Sequence, residues 1–212
     1  ANYVKVSELL KDGELICGVK AVDQETNEEY SIHSKVVINA TGVFADEIIQ
    51  MDDRKKKPMI TPSQGIHVIL KRDFLPANYA IMVPRTSDGR VMFAVPWHNH
   101  VVVGTTDTLI EKHSIEPVAL DSEVDFVLET AGQYLLKRPT RKDVLSVFAG
   151  LRPLAKPDDK KKATKEISRG HKIIISLSGL ITVIGGKWTT YRKMAEETID
   201  KAAMLAGLAE RE

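Results

Sequence analysis

The stretch Ile184-Gly185-Gly186-Lys187-Trp188-Thr189-Thr190-Tyr191-Arg192 decides the fold. An apolar strand ends in two glycines, and apolar residues then recur at helical spacing. Glycines let a ligand approach the backbone closely, and the first amides of a helix carry partial positive charge. The stretch therefore predicts a strand, turn and helix that bind an anion or an electron-rich ring, with Thr189 or Thr190 as the helix N-cap. A plain turn with a capping threonine is the alternative interpretation.

The rest of the chain indicates a mixed α/β protein. Residues 1–35 alternate between polar and apolar and predict a small antiparallel meander. The run 36–42 is apolar up to Thr-Gly except for Asn39, which is typical of a strand buried on both faces. Between 60 and 107, short apolar runs separated by turns predict an antiparallel sheet. Asp121 or Ser122 is expected to be the N-cap of a helix, with Glu123 and Asp125 in its first turn.

Composition excludes several classes of protein. The 212 residues are 43% hydrophobic and 28% charged, which argues against a disordered, collagen-like or disulfide-bonded chain. The net charge of +1 offers no basic excess for nucleic acid. The single cysteine, Cys17, is interpreted as a small buried group in a reducing compartment. The longest uncharged run, 173–186, is shorter than the roughly 20 residues of a spanning helix.

Two arginines are candidates for binding an anion. Arg152 follows an apolar strand in Gly150-Leu151-Arg152-Pro153, where the proline restricts its backbone. A guanidinium fixed in this way suits bidentate binding of phosphate or carboxylate. Arg169 is a similar but weaker candidate. An ordinary strand-end arginine in a surface ion pair is the alternative.

His67 lies among apolar residues in Ser63-Gln64-Gly65-Ile66-His67-Val68. Histidine at such a place can act as a general base near neutral pH, although a hydrogen-bonded structural histidine gives the same pattern. Residues with metal-ligand spacing are missing from the sequence, so no metal site is predicted. Neither a Gly-x-Ser-x-Gly elbow nor a Gly-x-Gly-x-x-Gly or phosphate loop is present.

Six segments together resemble the FAD-dependent glycerol-3-phosphate dehydrogenases of the D-amino-acid-oxidase-like flavoprotein superfamily. They are Val37-Ile38-Asn39-Ala40-Thr41-Gly42, Ser63-Gln64-Gly65-Ile66-His67, Val102-Val103-Gly104-Thr105-Thr106-Asp107, Gly150-Leu151-Arg152-Pro153-Leu154, Ile167-Ser168-Arg169 and Gly185-Gly186-Lys187-Trp188-Thr189-Thr190-Tyr191-Arg192. Trp188 departs from the leucine that is common in the family. The family's Gly-x-Gly-x-x-Gly turn, its acidic ribose ligand and its helical C-terminal domain are not in the sequence, so the chain is expected to be an internal fragment of a larger enzyme.

The resemblance implies the reaction and the roles of individual residues. Hydride would pass from C2 of sn-glycerol 3-phosphate to FAD, giving dihydroxyacetone phosphate, and the electrons would reach a quinone, or oxygen in the oxidase relatives. Arg152 and Arg169 would hold the phosphorylated substrate, His67 would be the base or orient the hydroxyl, and Lys187 would lie near flavin and substrate. The residues expected to contact the cofactor are Val6, Ala40, Thr41, Gly42, Gly186, Lys187, Trp188 and Thr189.

The resemblance also implies the architecture. Residues 1–57 and 171–212 would form part of a Rossmann-like FAD-binding domain, and 58–170 a mostly antiparallel substrate domain, with the ligand between them. The expected partners are the small phosphorylated substrate, a quinone, and the N-terminal and C-terminal parts of the same chain. The parent enzyme would be cytoplasmic, or attached peripherally to the inner face of the cell membrane.

Two other functions stay open at this point. A sister flavoenzyme could oxidise an amine or a 2-hydroxy acid. A non-catalytic binding module is the second alternative, because the pyrophosphate loop is missing. For the same reason the chain by itself is expected to bind FAD weakly and to be inactive.

Overall fold

Strands dominate the structure, a computed structural model that describes residues 1–111, 114–156 and 170–208. The described chain divides into two units. The first unit contains Ala1–Thr61, 153–156 and 170–208, and the second contains 62–111 and 114–152. No helix in these described ranges is long and apolar enough to cross a membrane.

The described ranges contain twelve strands and three α-helices, besides short 3-10 turns. The strands are β1 (Val4–Asp12), β2 (Leu15–Asp23), β3 (Glu29–His33), β4 (Ile38–Asn39), β5 (Ile60–Lys71), β6 (Ile81–Val83), β7 (Met92–Trp97), β8 (His100–Gly104), β9 (Thr108–Leu109), β10 (Ser146–Ala155), β11 (His171–Ile175) and β12 (Ile181–Gly185). The helices are α1 (Ala45–Asp52), α2 (Asp121–Ala131) and α3 (Tyr191–Leu205).

The first unit begins with the antiparallel meander β1-β2-β3 that the alternating pattern predicts. Its turn after β1 contains Gly13 at φ +59°, a backbone conformation that glycine adopts without a steric penalty. Leu9 and Ile16 of the meander pack with Leu180 in one buried cluster. The meander is thereby anchored to the segment that leads into β12.

A second sheet in this unit has the order β11-β12-β4. β11 and β12 form an antiparallel hairpin, and β12 pairs in parallel with β4, Ile181 opposite Ile38 and Thr182 opposite Asn39. Only two residues of the predicted strand 36–42 join the sheet. Since β4 and β12 are parallel, the chain leaves both strands at the same edge of the sheet.

The second unit contains a six-stranded sheet with the order β10-β5-β8-β7-β6, and β9 pairs with β5. Alternate residues of β5 and β8 are fully buried, among them Ile66, Val68 and Val103, and they pack with Val127 of α2. The mixed α/β fold with a mostly antiparallel second part is therefore confirmed.

The course of β10 differs from the sequence prediction. The strand was expected to end before Arg152, but it continues to Ala155 and includes both Arg152 and Pro153. Because β10 is the first strand in the order of its sheet, the missing amide of Pro153 can face away from the neighbouring strand. Arg152 thus has a regular strand backbone.

Candidate functional site

The two glycines at the end of β12 form a tight turn in the first unit. Gly185 and Gly186 have φ values of +72° and +89°, a backbone conformation that residues other than glycine rarely adopt. A Cβ atom on Gly185 would lie 2.7 Å from the carbonyl oxygen of Gly170, and one on Gly186 would lie 2.6 Å from Cε of Met194. Both the backbone and its close neighbours therefore require glycine at this turn.

The helix start after the turn confirms the predicted position of the N-cap but not its side-chain hydrogen bond. Trp188–Thr190 form a short 3-10 turn, and α3 begins at Tyr191. Thr190 is the N-cap residue, but its side chain makes no cap hydrogen bond. Its hydroxyl instead accepts from the amide of Lys187 at 3.3 Å and donates to the carbonyl of Lys187 at 3.0 Å. The Thr190 side chain thus closes the turn at Lys187 and leaves the first amides of α3 without a side-chain cap.

The side chains between this turn and α3 are accessible. Lys187, Trp188 and Thr189 are all exposed in the described chain, with Trp188 at 86%. The Trp188 ring stacks on Tyr191 at a centroid distance of 5.6 Å. An exposed indole and ammonium beside the start of a helix are available to a ligand.

A second predicted segment lies at the same sheet edge. Ala40, Thr41 and Gly42 directly follow β4, and the glycine turn ends its parallel neighbour β12. Gly42 has φ +61°, and a Cβ atom there would meet nothing within 4 Å. Ligands of open α/β sheets bind outside the carboxyl ends of parallel strands, so both segments are well placed for one ligand.

Asn39 fixes this edge, and the sequence analysis did not single it out. The residue is 1% exposed. Its amide nitrogen donates to the carbonyl of Ala45 at 3.0 Å, and its amide oxygen accepts from the hydroxyl of Thr41 at 2.7 Å. The side chain therefore ties the end of β4 to the start of α1. A polar residue within an apolar run was the available signal.

Val6 and Thr41 line one cavity of about 290 Å³ in the first unit, together with Asn39. The predicted cofactor residues of β1 and of the segment after β4 thus border the same space. These residues fit part of a dinucleotide: a cavity for one portion, and exposed backbone at a parallel sheet edge for another. The chain has no Gly-x-Gly-x-x-Gly for the pyrophosphate, so no residue is assigned to that group.

His67 lies on β5 in the second unit, and its ring is stacked. The imidazole is parallel to the Phe148 ring within 11°, at a centroid distance of 5.1 Å. It also crosses Gly104 of β8, where a Cβ atom would lie 2.8 Å from Cγ of His67. Burial of the ring, and then the positive charge of Arg152, hold the pKa of His67 below its ordinary value of 6.5. His67 is therefore neutral at pH 7 and able to accept a proton.

Arg152 lies on β10, and residues of the loop after β8 hold its guanidinium in place. Its guanidinium donates to the hydroxyl of Thr105 at 3.1 Å and to the carbonyl of Thr106 at 3.2 Å. The carboxylate of Asp107 lies 3.7 Å from it and also accepts a hydrogen bond from Ser63. Gly65 leaves room for the guanidinium, because a Cβ atom there would be 2.7 Å from Cζ. Arg152 is a positioned, partly exposed cation suited to an anionic ligand.

The structure brings some of the predicted site residues together. His67 and Arg152 are neighbours in the second unit, close enough for the arginine to affect the pKa of the histidine. Gly186, Lys187, Trp188 and Thr189 are contiguous in the first unit. Arg169 lies outside the described residues. Sequence reasoning gave no role of their own to Gly65 and Gly104, because only the packed structure shows the side chains that cross them.

Comparison with known proteins extends these observations. A "Probable glycerol-3-phosphate dehydrogenase, mitochondrial" of Caenorhabditis elegans is 44% identical over 213 residues, which is 98% of this chain and 29% of that protein. The solved glycerol-3-phosphate dehydrogenase of Bacillus halodurans, complexed with FAD, is similar with a TM-score of 0.86 and 35% identity, over 100% of this chain and 40% of that one. The chain thus spans about three tenths of the length of the curated relative.

The fold is shared more widely. A glycine oxidase of Bacillus cereus superposes with a TM-score of 0.60 at 16% identity, over 98% of this chain and 51% of that one. The family model described as DAO, FAD dependent oxidoreductase, matches residues 2–192. With a match over most of its length, the chain belongs to this family of FAD dependent oxidoreductases.

Proposed function

We propose that the chain is part of an enzyme that oxidises sn-glycerol 3-phosphate to dihydroxyacetone phosphate. The observation that carries the proposal is a pair of residues in one unit: a neutral, half-buried His67 and an Arg152 whose guanidinium is fixed by hydrogen bonds. A phosphorylated alcohol needs a proton acceptor for its hydroxyl and a cation for its phosphate. Similarity to glycerol-3-phosphate dehydrogenases over nearly the whole chain supports this assignment.

Arg152 would bind the phosphate group of the substrate. Its contacts with Thr105 and Thr106 hold the guanidinium in place before substrate arrives, so little rotamer entropy is lost on binding. The carboxylate of Asp107, on the same guanidinium, limits its positive charge and fixes its orientation. Arg169 would be a second cation for the phosphate, as the sequence predicts.

His67 would accept the proton of the substrate hydroxyl on a ring nitrogen. The stack on Phe148 and the glycine at position 104 fix the plane of the ring, so the nitrogen has a defined direction. Because burial, and then the positive charge of Arg152, lowers the pKa of His67, the ring is neutral before the reaction. Repulsion from Arg152 also favours release of the proton after the substrate has left.

The first unit would hold FAD, which supplies the hydride acceptor when it is bound. Gly186, Lys187, Trp188 and Thr189 would contact the flavin end, and Ala40, Thr41, Gly42 and Val6 the dinucleotide. Lys187 and the outward amides at the start of the helical turn would stabilise negative charge at the flavin end. The division into 1–57, 58–170 and 171–212 stays part of this proposal.

We extend the proposal to the partners of the whole protein. A quinone would receive the electrons, and the whole protein would associate peripherally with a membrane. The C. elegans relative is described as mitochondrial, whereas the sequence predicted a cytoplasmic enzyme. Fractionation of cells that express the whole protein, with a salt wash of the membranes, tests both the compartment and the attachment.

Anaerobic mixing of the whole protein with substrates tests the reaction. Flavin absorbance near 450 nm should bleach with sn-glycerol 3-phosphate and not with glycerol, glycine or lactate at equal concentration. Arg152→Gln should weaken saturation by sn-glycerol 3-phosphate, and Arg85→Gln, an exposed arginine in the same unit, is the matched control. Bleaching by glycine or lactate alone would replace this proposal with amine or 2-hydroxy-acid oxidation.

A further inference from the structure

Glu123 is a buried carboxylate in the second unit that the sequence analysis noted only as part of a helix start. It is 3% exposed, on the first turn of α2. The sequence predicted Asp121 or Ser122 as the N-cap of this helix, but the N-cap is Leu120. The backbone amide of Leu120 donates to Oε2 of Glu123 at 3.0 Å. The capping interaction accounts for one of the hydrogen bonds that Glu123 accepts.

Three other donors come from outside α2. Gln64 of β5 donates its amide to Oε2 at 2.7 Å. Thr106 and Thr108 donate their hydroxyls to Oε1 at 2.8 and 2.7 Å. All four donors are neutral, and each carboxylate oxygen accepts two of them. Burial alone would raise the pKa of Glu123, but these hydrogen bonds outweigh burial and lower it, so the group is ionised at neutral pH.

Two of these donors lead directly to the candidate site. The hydroxyl of Thr106 also accepts from the backbone amide of Ile66, at 3.1 Å, and Ile66 precedes His67 in β5. The carbonyl of the same threonine accepts from Arg152. Gln64 lies beside Gly65, which faces the guanidinium. Glu123 thus holds both the strand that carries His67 and the loop that holds Arg152.

We propose that Glu123 is a positioning residue, which sets the separation of the His67 ring and the Arg152 guanidinium through Thr106 and Gln64. Capping a helix requires one acceptor, whereas this carboxylate also accepts from Gln64 of β5, from Thr106 in the loop after β8 and from Thr108 of β9. A carboxylate accepts at both oxygens, and an amide accepts at only one, so a glutamine at this position would face two donors with its own N–H groups. The inference rests on the proposed function only for the choice of substrate.

The first test compares Glu123→Gln with Glu129→Gln in the whole protein. Glu129 is an exposed glutamate of the same helix, so the control makes the same change of charge without touching the network. One readout is the pKa of His67, measured by the pH dependence of its reaction with diethyl pyrocarbonate and peptide mass spectrometry. E123Q should raise this pKa towards the value in Arg152→Gln, because the guanidinium is no longer held near the ring. E129Q should match the wild type.

The second readout is saturation by sn-glycerol 3-phosphate in anaerobic flavin reduction. A displacement of about 1 Å at a catalytic pair can cost about 100-fold, so E123Q should raise the half-saturating concentration by between about tenfold and about 100-fold. FAD content and thermal midpoint are measured alongside. A folded, FAD-loaded E123Q with a wild-type His67 pKa and wild-type saturation would overturn the inference.

A second pair of variants decides the question if E123Q does not fold. Thr106→Ser keeps the hydroxyl that connects Glu123 to Ile66, and Thr106→Val removes it with little change of volume. T106V should shift the His67 pKa and the saturation in the same direction as expected for E123Q, and T106S should not. Equal behaviour of T106S and T106V would contradict the inference. Failure of the wild type to react with sn-glycerol 3-phosphate would refute the proposed function, and the His67 pKa would still test Glu123.

Discussion

Replacing Gly65 with alanine should separate substrate binding from stability. The added Cβ atom would lie 2.7 Å from Cζ of Arg152 and 2.6 Å from its Nη1, whereas ordinary contact begins at 3.4 Å. Nη2 would be nearer still, so the guanidinium would withdraw by about 1 Å, since atoms at the end of a flexible side chain yield before the backbone does. Its hydrogen bonds to Thr105 and Thr106, now 3.1 and 3.2 Å, would stretch beyond hydrogen-bonding distance.

The expected cost falls on the substrate. A hydrogen bond to a charged group contributes about 1.5–3 kcal/mol, and 1.4 kcal/mol is a factor of ten, so half-saturation by sn-glycerol 3-phosphate should rise by between about 10-fold and about 100-fold. Stability should change by less than about 1 kcal/mol, because alanine in a strand interior is favoured over glycine and Arg152 is partly exposed.

Anaerobic stopped-flow reduction of the whole protein measures the effect on substrate, and urea denaturation measures stability. Gly150→Ala is the matched control: it makes the same change on β10, the strand of Arg152, where a Cβ atom meets nothing within 4 Å. Unchanged half-saturation in G65A, or an equal increase in G150A, would refute the reasoning. A large loss of stability in G65A would show that the guanidinium cannot yield as argued.

Three further predictions concern the same two units. Gly104→Ala should lower the free energy of unfolding by about 1–3 kcal/mol in urea denaturation, because its Cβ atom would lie 2.7 Å from the backbone oxygen of Ile66; wild-type stability would contradict this. Asn39→Ala should cost about 1–3 kcal/mol and reduce FAD content, since the buried carbonyl of Ala45 loses its donor; full FAD occupancy would count against the cofactor assignment. His67 binds fewer protons in the folded than in the unfolded protein, so stability should fall as pH drops from 6.5 towards its lowered pKa. H67Q should abolish that part of the pH dependence. If the free energy of unfolding falls with pH as steeply in H67Q as in the wild type, His67 is not its source.

Local patterns predicted much of the fold. The meander follows from alternation and turns between strands, and α3 follows from helical spacing after two glycines, because both signals are carried by neighbouring residues. The run 36–42 was predicted as a longer strand than Ile38–Asn39, since hydrophobicity shows burial but not which backbone groups find a partner. Arg152-Pro153 was interpreted as the end of a strand, because the edge position of β10 that tolerates proline depends on distant strands.

The candidate site was predictable where chemistry resides in a single side chain. His67, Arg152 and Lys187 were predicted because imidazole, guanidinium and ammonium groups stand out in an apolar or glycine-rich context. Glu123 was not, since its role comes from donors on β5 and in the loop after β8, 15 to 59 residues away in sequence. Long-range hydrogen bonds of this kind leave no local pattern.

The parallel pairing of β4 with β12 has a consequence for biosynthesis. Asn39 and Thr182, which face each other in that ladder, are separated by 143 residues. At roughly 5–20 residues per second, a ribosome would complete the second partner about 7–30 s after the first. The second unit, whose described residues all fall between Pro62 and Arg152, can form its sheet in this interval. Nascent chains would therefore expose the β4 edge during elongation, when chaperones have most opportunity to bind it.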